Sequence, residues 1–249
     1  MKKKSKQYIL PYTYNEAESG LGYEYVENRF GYIKPYLENV RLLLELGCGE
    51  GVLGERIKKE SDCDVYGLDI SLSGVNLAKK RGIIAHVSDL NERLPYQDNF
   101  FDLIFSDQVL EHVYQTDSLM SEIFRILKPG GTLITITPNL SFWLNRILFV
   151  FGVYPMFLEP SEHSKAYGAM FLKKFMQEEQ AMGHIHVFNR PALEDIIRAH
   201  GFRITKVFGS PLSWNLPKAL RIPYNMLDRF FALFPSLARD IVIIAMKHK

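Results

Sequence analysis

The chain has 249 residues, 47% of them hydrophobic and 23% charged, with a formal net charge of +2. That length holds one large domain, and the composition is that of a globular protein, not of a disordered or fibrous one. So small a charge excludes a general electrostatic role on nucleic acid. The longest apolar stretch, Ile147 to Leu158 with Gly152 and Pro155 inside it, is too short to cross a bilayer, which leaves contact with a membrane surface open.

The chain begins with a polar lead-in to about residue 22. Its basic run, Lys2, Lys3, Lys4 and Lys6, has no apolar segment behind it and reads as a solvated end or a contact for anionic lipid, not a signal peptide. Two cysteines, Cys48 and Cys63, fit a reducing compartment and a cytoplasmic protein. From Tyr23 to Asn39 the apolar positions Tyr25, Val26, Phe30, Ile33, Tyr36 and Leu37 recur at helical spacing. That helix either packs on a sheet or uses its tyrosines to close a ligand pocket.

The next part of the chain alternates strand and helix. Strands are expected at Arg41 to Leu46, Asp64 to Asp69, Ile83 to Val87, Phe100 to Ser106 and Thr132 to Thr137. Helices are expected at Gly51 to Glu60, from the capping Ser71 to about Arg81, and at Asp117 to Leu127, where Lys128-Pro129-Gly130-Gly131 breaks the pattern. Such alternation implies a parallel sheet with helices on both faces and ligands at the C-terminal strand ends. The lining loops are then Gly47 to Gly51, Asp69 to Ser71, Ser88 to Leu90, Ser106 to His112 and Pro138 to Leu140. From Leu140 the alternation gives way to a Phe-, Met- and Tyr-rich segment, residues 140–183, expected to be a small helical insertion. A helix at Pro191 to Ala199, a strand at Arg203 to Phe208, an apolar excursion over 211–235 that is helical from Pro217, and a last strand at Asp240 to Lys247 complete a single domain over 1–249.

The glycine loop between the first strand and first helix selects among ligands. Its spacing is G-x-G-x-G at Gly47, Gly49 and Gly51, with Val52 where a dinucleotide loop would need its third glycine. Glu45 and Glu50 would repel a pyrophosphate. S-adenosylmethionine, with a sulfonium, an amino group and a carboxylate, suits such a loop: its carboxylate can meet loop amides while the acids face its positive groups. Asp69, at the end of the second strand, is placed to accept from both ribose hydroxyls. Asp89 follows the third strand, where an adenine amino group needs an acceptor, with Ile70 and Leu90 on either side of the ring. Cys48 reads as a small packing residue within the loop.

These residues resemble the class I S-adenosylmethionine-dependent methyltransferases, in the broad small-molecule group that includes the ubiquinone-pathway enzymes. The resemblance lies in ELGCGEG (Glu45 to Gly51), GLDIS (Gly67 to Ser71), Ser88 to Val113 and Glu122 to Asn139, and covers roughly residues 40 to 140. It implies a Rossmann-like α/β three-layer sandwich with a seven-stranded, mostly parallel sheet, order 3-2-1-4-5-7-6, strand seven antiparallel. It also implies S-adenosyl-L-methionine as cofactor. By the same resemblance Glu45, Gly47, Cys48, Gly49 and Gly51 surround the methionine part, Asp69 the ribose, and Ile70, Ser88, Asp89 and Leu90 the adenine. Ser106 and Gln108 line the methyl end.

Methyl transfer from a sulfonium needs positioning and desolvation above all, and a base only where the acceptor is protonated. His112 is the base candidate beside the methyl end; its alternative role is to pack the turn after the fourth strand. Some relatives bind a divalent metal through E-x-x-E-H, but Gln108 here replaces the first acid, and no metal is expected. His184 and His186 alternate in an extended segment and so share a direction. They either orient a substrate hydroxyl, bind metal with His163, or serve structurally. The aromatic residues of 140–183 and 211–235, Trp143, Phe157 and Trp214 among them, form either a lid over an apolar acceptor, the core of a cap, or a dimer face. The expected activity is methylation of a small, partly apolar molecule, most plausibly at oxygen, by a monomer or homodimer with no nucleic-acid partner. The alternatives are a non-catalytic binding protein of this fold or an RNA or protein methylase.

Overall fold

A computed structural model describes residues 22–175, 180–211 and 218–248. The basic run at Lys2 to Lys6 and Trp214 lie outside the described residues. Seven strands form one sheet: β1 (Leu42–Leu46), β2 (Asp64–Asp69), β3 (Ile84–Val87), β4 (Phe101–Asp107), β5 (Leu127–Pro138), β6 (Phe202–Ser210) and β7 (Asp240–Lys247). Their order is 3-2-1-4-5-7-6. β1 to β5 pair in parallel, and β7 runs antiparallel to both neighbours, β5 and β6. The helices are α1 (Tyr23–Ile33), α2 (Val52–Lys58), α3 (Leu72–Lys80), α4 (Thr116–Ile126), α5 (Trp143–Val150), α6 (Arg190–Ala199) and α7 (Lys218–Ala232).

Successive strand residues point to opposite faces, and here both faces are covered, so the inner strands read as unbroken apolar runs. Leu43 joins Val26, Phe30 and Ile33 of α1, Leu53 and Ile57 of α2, and Val75 and Ala78 of α3 in one core. Its neighbours Leu44 and Leu46 join Met120 and Ile123 of α4 and Leu193 and Ile197 of α6 in the other. Each Leu or Ile fully buried in this way contributes about 1.5–3 kcal/mol. Ser71 caps α3 by accepting from Gly74 N at 3.2 Å, and Asn189 caps α6 by accepting from Ala192 N at 3.0 Å.

Three elements differ from expectation. The first helix stops at Ile33, because Pro35 disfavours helix at the residue before it; a 3-10 turn over Lys34–Tyr36 follows. β5 starts at Leu127 and carries Lys128-Pro129-Gly130-Gly131 within it as an irregularity: Leu127 pairs with Phe101, and pairing resumes at Thr132 with Leu103. The segment after β5 is less helical than its composition suggested. Its described residues hold the eight-residue α5 and a 3-10 stretch at Met170–Phe175, with turns and bends between.

α1 is tied to the sheet by a buried cation. Arg29, 1% exposed, donates from Nε to Asp107 Oδ2 (3.0 Å), from Nη1 to Ser210 Oγ (3.0 Å) and from Nη2 to Asp240 Oδ2 (3.1 Å). One side chain thus joins α1 to β4, β6 and β7 and satisfies carboxylates that would otherwise be buried unpaired.

Candidate functional site

The C-terminal ends of β1, β2 and β4 open on a cavity of about 540 Å3. Its wall is continuous with the glycine loop. Gly47, Gly49 and Gly51 hold φ of 68°, 48° and 74°, the left-handed region that glycine enters without strain. At Gly47 a Cβ would also stand 2.6 Å from Val109 Cγ2, another residue of the cavity wall. The loop amides behave otherwise than expected. Gly47 and Cys48 N–H both donate to Leu68 O (2.8 and 3.0 Å), Gly51 N–H to Cys48 O (2.8 Å) and Gly49 N–H to Asp69 Oδ2 (2.8 Å). Four donors that a phosphate or carboxylate would need are therefore engaged within the protein.

The carboxylates set the character of the cavity. Glu45, Glu50, Asp69, Asp89 and Asp107 all line it. Glu45 is buried, its Oε2 has no hydrogen-bond partner, and burial followed by the nearby Asp107 and Asp69 charges raises its pKa to about 8. Asp69 accepts from Gly49 N on one oxygen and from Ser71 N on the other, both at 2.8 Å, so it pins the glycine loop to the start of α3. Burial raises its pKa against the lowering effect of those N–H donors. Asp89 Oδ1 accepts from the backbone and side chain of Asn91, also in the wall. The cation in the wall, Arg29, is committed to Asp107 and Asp240. This surplus of acid suits a ligand with positive groups and hydroxyls and disfavours a pyrophosphate.

Gln108 marks the far end. It is a non-glycine residue at φ 54°, and its buried Nε2 has no partner. Such strain in a cavity wall occurs where the surroundings hold a side chain in place for use. Beyond it Val109, His112 and Val113 complete the wall. His112 Nδ1–H donates to Gly183 O at 3.1 Å, which leaves Nε2 as the unprotonated nitrogen of the neutral ring. Burial, then the adjacent His184, lowers the His112 pKa to about 4.

Of the residues singled out from sequence, Glu45, Gly47, Cys48, Gly49, Asp69, Ile70, Ser88, Asp89, Leu90, Gln108 and His112 lie in the cavity wall. Gly51 lies outside it, packed against Ala78 and Ile83. Ser106 is also outside, wholly buried on β4 with its Oγ unpartnered. His184 and His186 stand outside the wall too, with different surroundings. His184 Nδ1–H donates to Phe157 O at 2.8 Å and its ring lies 4.9 Å from that of His112, whereas the exposed His186 meets Tyr114 O at 3.3 Å. His163 is exposed beside Glu162. Glu111, His112 and His184 bring one ligand atom each within 4.8 Å of one another, and burial raises the Glu111 pKa to about 8.

The wall includes Tyr25, Val26 and Arg29, so α1 closes one side. Tyr25 and Val26 belong to the aromatic helix whose pocket-closing role was one reading of the sequence. Tyr25 OH donates to Asp107 Oδ2 at 2.6 Å. Arg29 and Asp107 gave no sequence signal beyond a cation on an apolar helix face and an acid at a strand end.

Comparison with known proteins agrees with this geometry. Residues 44–135 match the model of a methyltransferase domain. A ubiquinone biosynthesis O-methyltransferase from Sinorhizobium fredii is 26% identical over 75% of this chain and 72% of its own length. Phosphoethanolamine N-methyltransferase 2 from Caenorhabditis elegans is 32% identical over 43% of this chain and 25% of its own length. Against several curated relatives the chain spans about half of their length or less. The crystal structure of a SAM-dependent methyltransferase from Archaeoglobus fulgidus shares the fold, with a TM-score of 0.60 at 20% identity, over 90% of this chain and 94% of that one. Its sheet order, its acid-lined glycine-loop cavity and these relatives show a methyltransferase domain at residues 44–135, in a chain with the fold of the class I S-adenosylmethionine-dependent methyltransferases.

Proposed function

We propose that this chain methylates a hydroxyl oxygen on a small, partly apolar molecule. In this reading Glu45 faces the amino group of S-adenosylmethionine and Asp69 its ribose hydroxyls. Asp89 accepts from the adenine, Ile70 and Leu90 flank that ring, and Gln108 stands near the methyl group. When bound, the cofactor supplies a methyl carbon made electrophilic by the sulfonium. The remaining work belongs to the protein: exclude water, align the acceptor and manage its proton.

His112 is the observation that carries the oxygen reading. Its Nδ1–H is held by Gly183 O, which fixes the ring in the cavity wall as the tautomer whose Nε2 is the accepting nitrogen. A ring held near pKa 4 stays neutral at physiological pH. It takes up the proton late, and acts chiefly by aiming the oxygen lone pair at the methyl carbon. His184, bonded to Phe157 O, backs that ring and is its positioning residue. The S. fredii O-methyltransferase match supports the reading by its reach: 75% of this chain, against 43% for the N-methyltransferase. Segments 140–183 and 211–235 act as the lid over the acceptor. The first of them meets the methyl end through Gly183 O, which accepts from His112, and the chain just past it is held there by Ile185 N–H (2.6 Å) and His186 N–H (3.1 Å), both donating to the Glu111 carbonyl. Val109 and Val113 give that end its apolar character.

The test is calorimetric binding of S-adenosylmethionine followed by turnover with methyl-labelled cofactor on matched apolar acceptors bearing a hydroxyl, an amine or a carboxylate. Label is expected on the hydroxyl, and His112→Ala is expected to lower kcat by about 10²-fold or more with cofactor affinity unchanged. Label on the amine alone, or full turnover by His112→Ala, overturns the oxygen reading. Binding of neither the cofactor nor its demethylated product overturns the reaction itself.

A further inference from the structure

α5 and α7 pack on each other and leave a group of large apolar side chains exposed beside the seam. Trp143 of α5 stacks on Phe231 of α7 with ring centroids 5.1 Å apart, and its Nε1–H donates to Asp228 Oδ1 at 3.2 Å. Outside that seam, Ile147, Val150 and Phe151 on and just past α5, and Met226, Phe230 and Leu233 on and just past α7, are between 45% and 81% exposed. Large side chains so exposed, and gathered on two neighbouring helices, mark a surface that something covers.

Charge identifies the occupant. Arg146 on α5 and Arg221 and Arg229 on α7 are exposed. α5 has no acid, and the one acid of α7, Asp228, is buried in the seam with Trp143. The exposed charge on the described parts of both helices is therefore wholly positive. A second copy docked about a two-fold axis would set this cationic face against its own like charges. A bilayer rich in anionic headgroups receives both components: the apolar side chains enter the acyl boundary and the guanidinium groups meet phosphates. Among the described residues no helix is long and apolar enough to cross a membrane, so the contact is with one leaflet.

We propose that the α5–α7 face docks on an anionic lipid surface. α5 belongs to the segment that reaches the methyl end through Gly183 and His184. Docking would thus set the acceptor side of the cavity near a bilayer, from which an apolar acceptor can enter.

The experiment is co-sedimentation of the full chain with vesicles of phosphatidylcholine alone or mixed with phosphatidylglycerol, at low and high salt. Binding to the mixed vesicles alone, weakened several-fold by salt, is expected. The pair Phe151→Ser with Phe230→Ser, and separately the pair Arg146→Glu with Arg229→Glu, should each reduce it at least tenfold while S-adenosylmethionine affinity, which reports folding, stays the same. Absence of vesicle binding overturns the proposal, and so does binding that both variants retain. Light scattering that shows a dimer dissolved by the Phe pair, with no vesicle binding, assigns the face to a second copy instead. Vesicle binding and methyl transfer are separate measurements, and either can fail without the other.

Discussion

Glu45, one residue before the end of β1, stands in the cavity wall with one carboxylate oxygen unpartnered and a pKa of about 8, so it carries a proton at neutral pH before any ligand arrives. An ammonium placed beside it favours the carboxylate and expels that proton. Binding of S-adenosylmethionine at pH 7 should therefore release close to one proton, and affinity should rise as pH goes from 6 to 8. Calorimetry in two buffers of different ionisation enthalpy reads the release directly. Glu45→Gln should abolish it and weaken binding by about 10- to 100-fold, the worth of a charge-assisted hydrogen bond. Equal heats in both buffers for the native chain would place the amino group elsewhere. Glu45 and Asp69 were legible in the sequence because each lies at or next to the C-terminal end of a strand of a parallel sheet, where ligands gather. Arg29 was not: nothing in Asn28-Arg29-Phe30 shows that one guanidinium will reach Asp107, Ser210 and Asp240, which are far apart in sequence. His184 was singled out as a residue of the pocket itself, but its place behind His112 depends on how the irregular chain between Phe157 and Gly183 is folded.

At the scale of elements, the glycine loop is fixed by two different constraints. Gly47 faces Val109 Cγ2, the tip of a side chain, whereas Gly51 faces Ala78 Cα and Cβ at 2.9 and 2.8 Å and Ile83 at 3.0 Å, the body of α3 and the turn after it. Both hold positive φ, so alanine costs about 1 kcal/mol of backbone strain at either. At Gly47 the rest of the cost falls on Val109, which can rotate, and is felt as a narrowed cavity. At Gly51 a helix must move. Gly51→Ala should therefore destabilise by about 2–4 kcal/mol in urea unfolding, more than Gly47→Ala, while Gly47→Ala should lose more cofactor affinity per unit of stability. The reverse order in urea would mean that α2 and α3 separate more easily than their packing implies. The same contrast explains which elements the sequence revealed. β1 to β4 and α2 to α4 have regular periodicity and clear ends. β5 runs through Pro129 and two glycines because β4 holds both ends of the irregularity, a tertiary effect that local propensity does not contain.

Across the whole molecule, acid–base groups buried for function tilt stability against pH. Glu45 and Glu111 are raised from an ordinary 4.5 to about 8. For each, the native state keeps a proton that the unfolded chain has lost, so the stabilisation is complete below 4.5 and disappears as pH rises through about 8. His112 is lowered from 6.5 to about 4. The unfolded chain there binds a proton that the native ring refuses, so stability is undiminished above 6.5 and declines as pH falls toward 4. Between pH 6.5 and 8 these two carboxyl groups act in the same direction, with a slope of up to about 1.4 kcal/mol per pH unit each, and Asp69 and Asp107, also raised by burial, act in that direction too. Glu45 and Glu111 alone should therefore cost the ligand-free chain on the order of 3 kcal/mol from pH 6.5 to 8, read as the change in urea-unfolding free energy. Glu45→Gln, which keeps the shape and cannot ionise, should remove the Glu45 share of that slope. Saturating S-adenosylmethionine should flatten it as well, because the bound ammonium lets Glu45 ionise in the folded state. A free energy that stays level or rises from pH 6.5 to 8 would show that water or a rearranged wall already solvates these carboxylates. The cavity would then lack the buried acidity on which the cofactor reading depends.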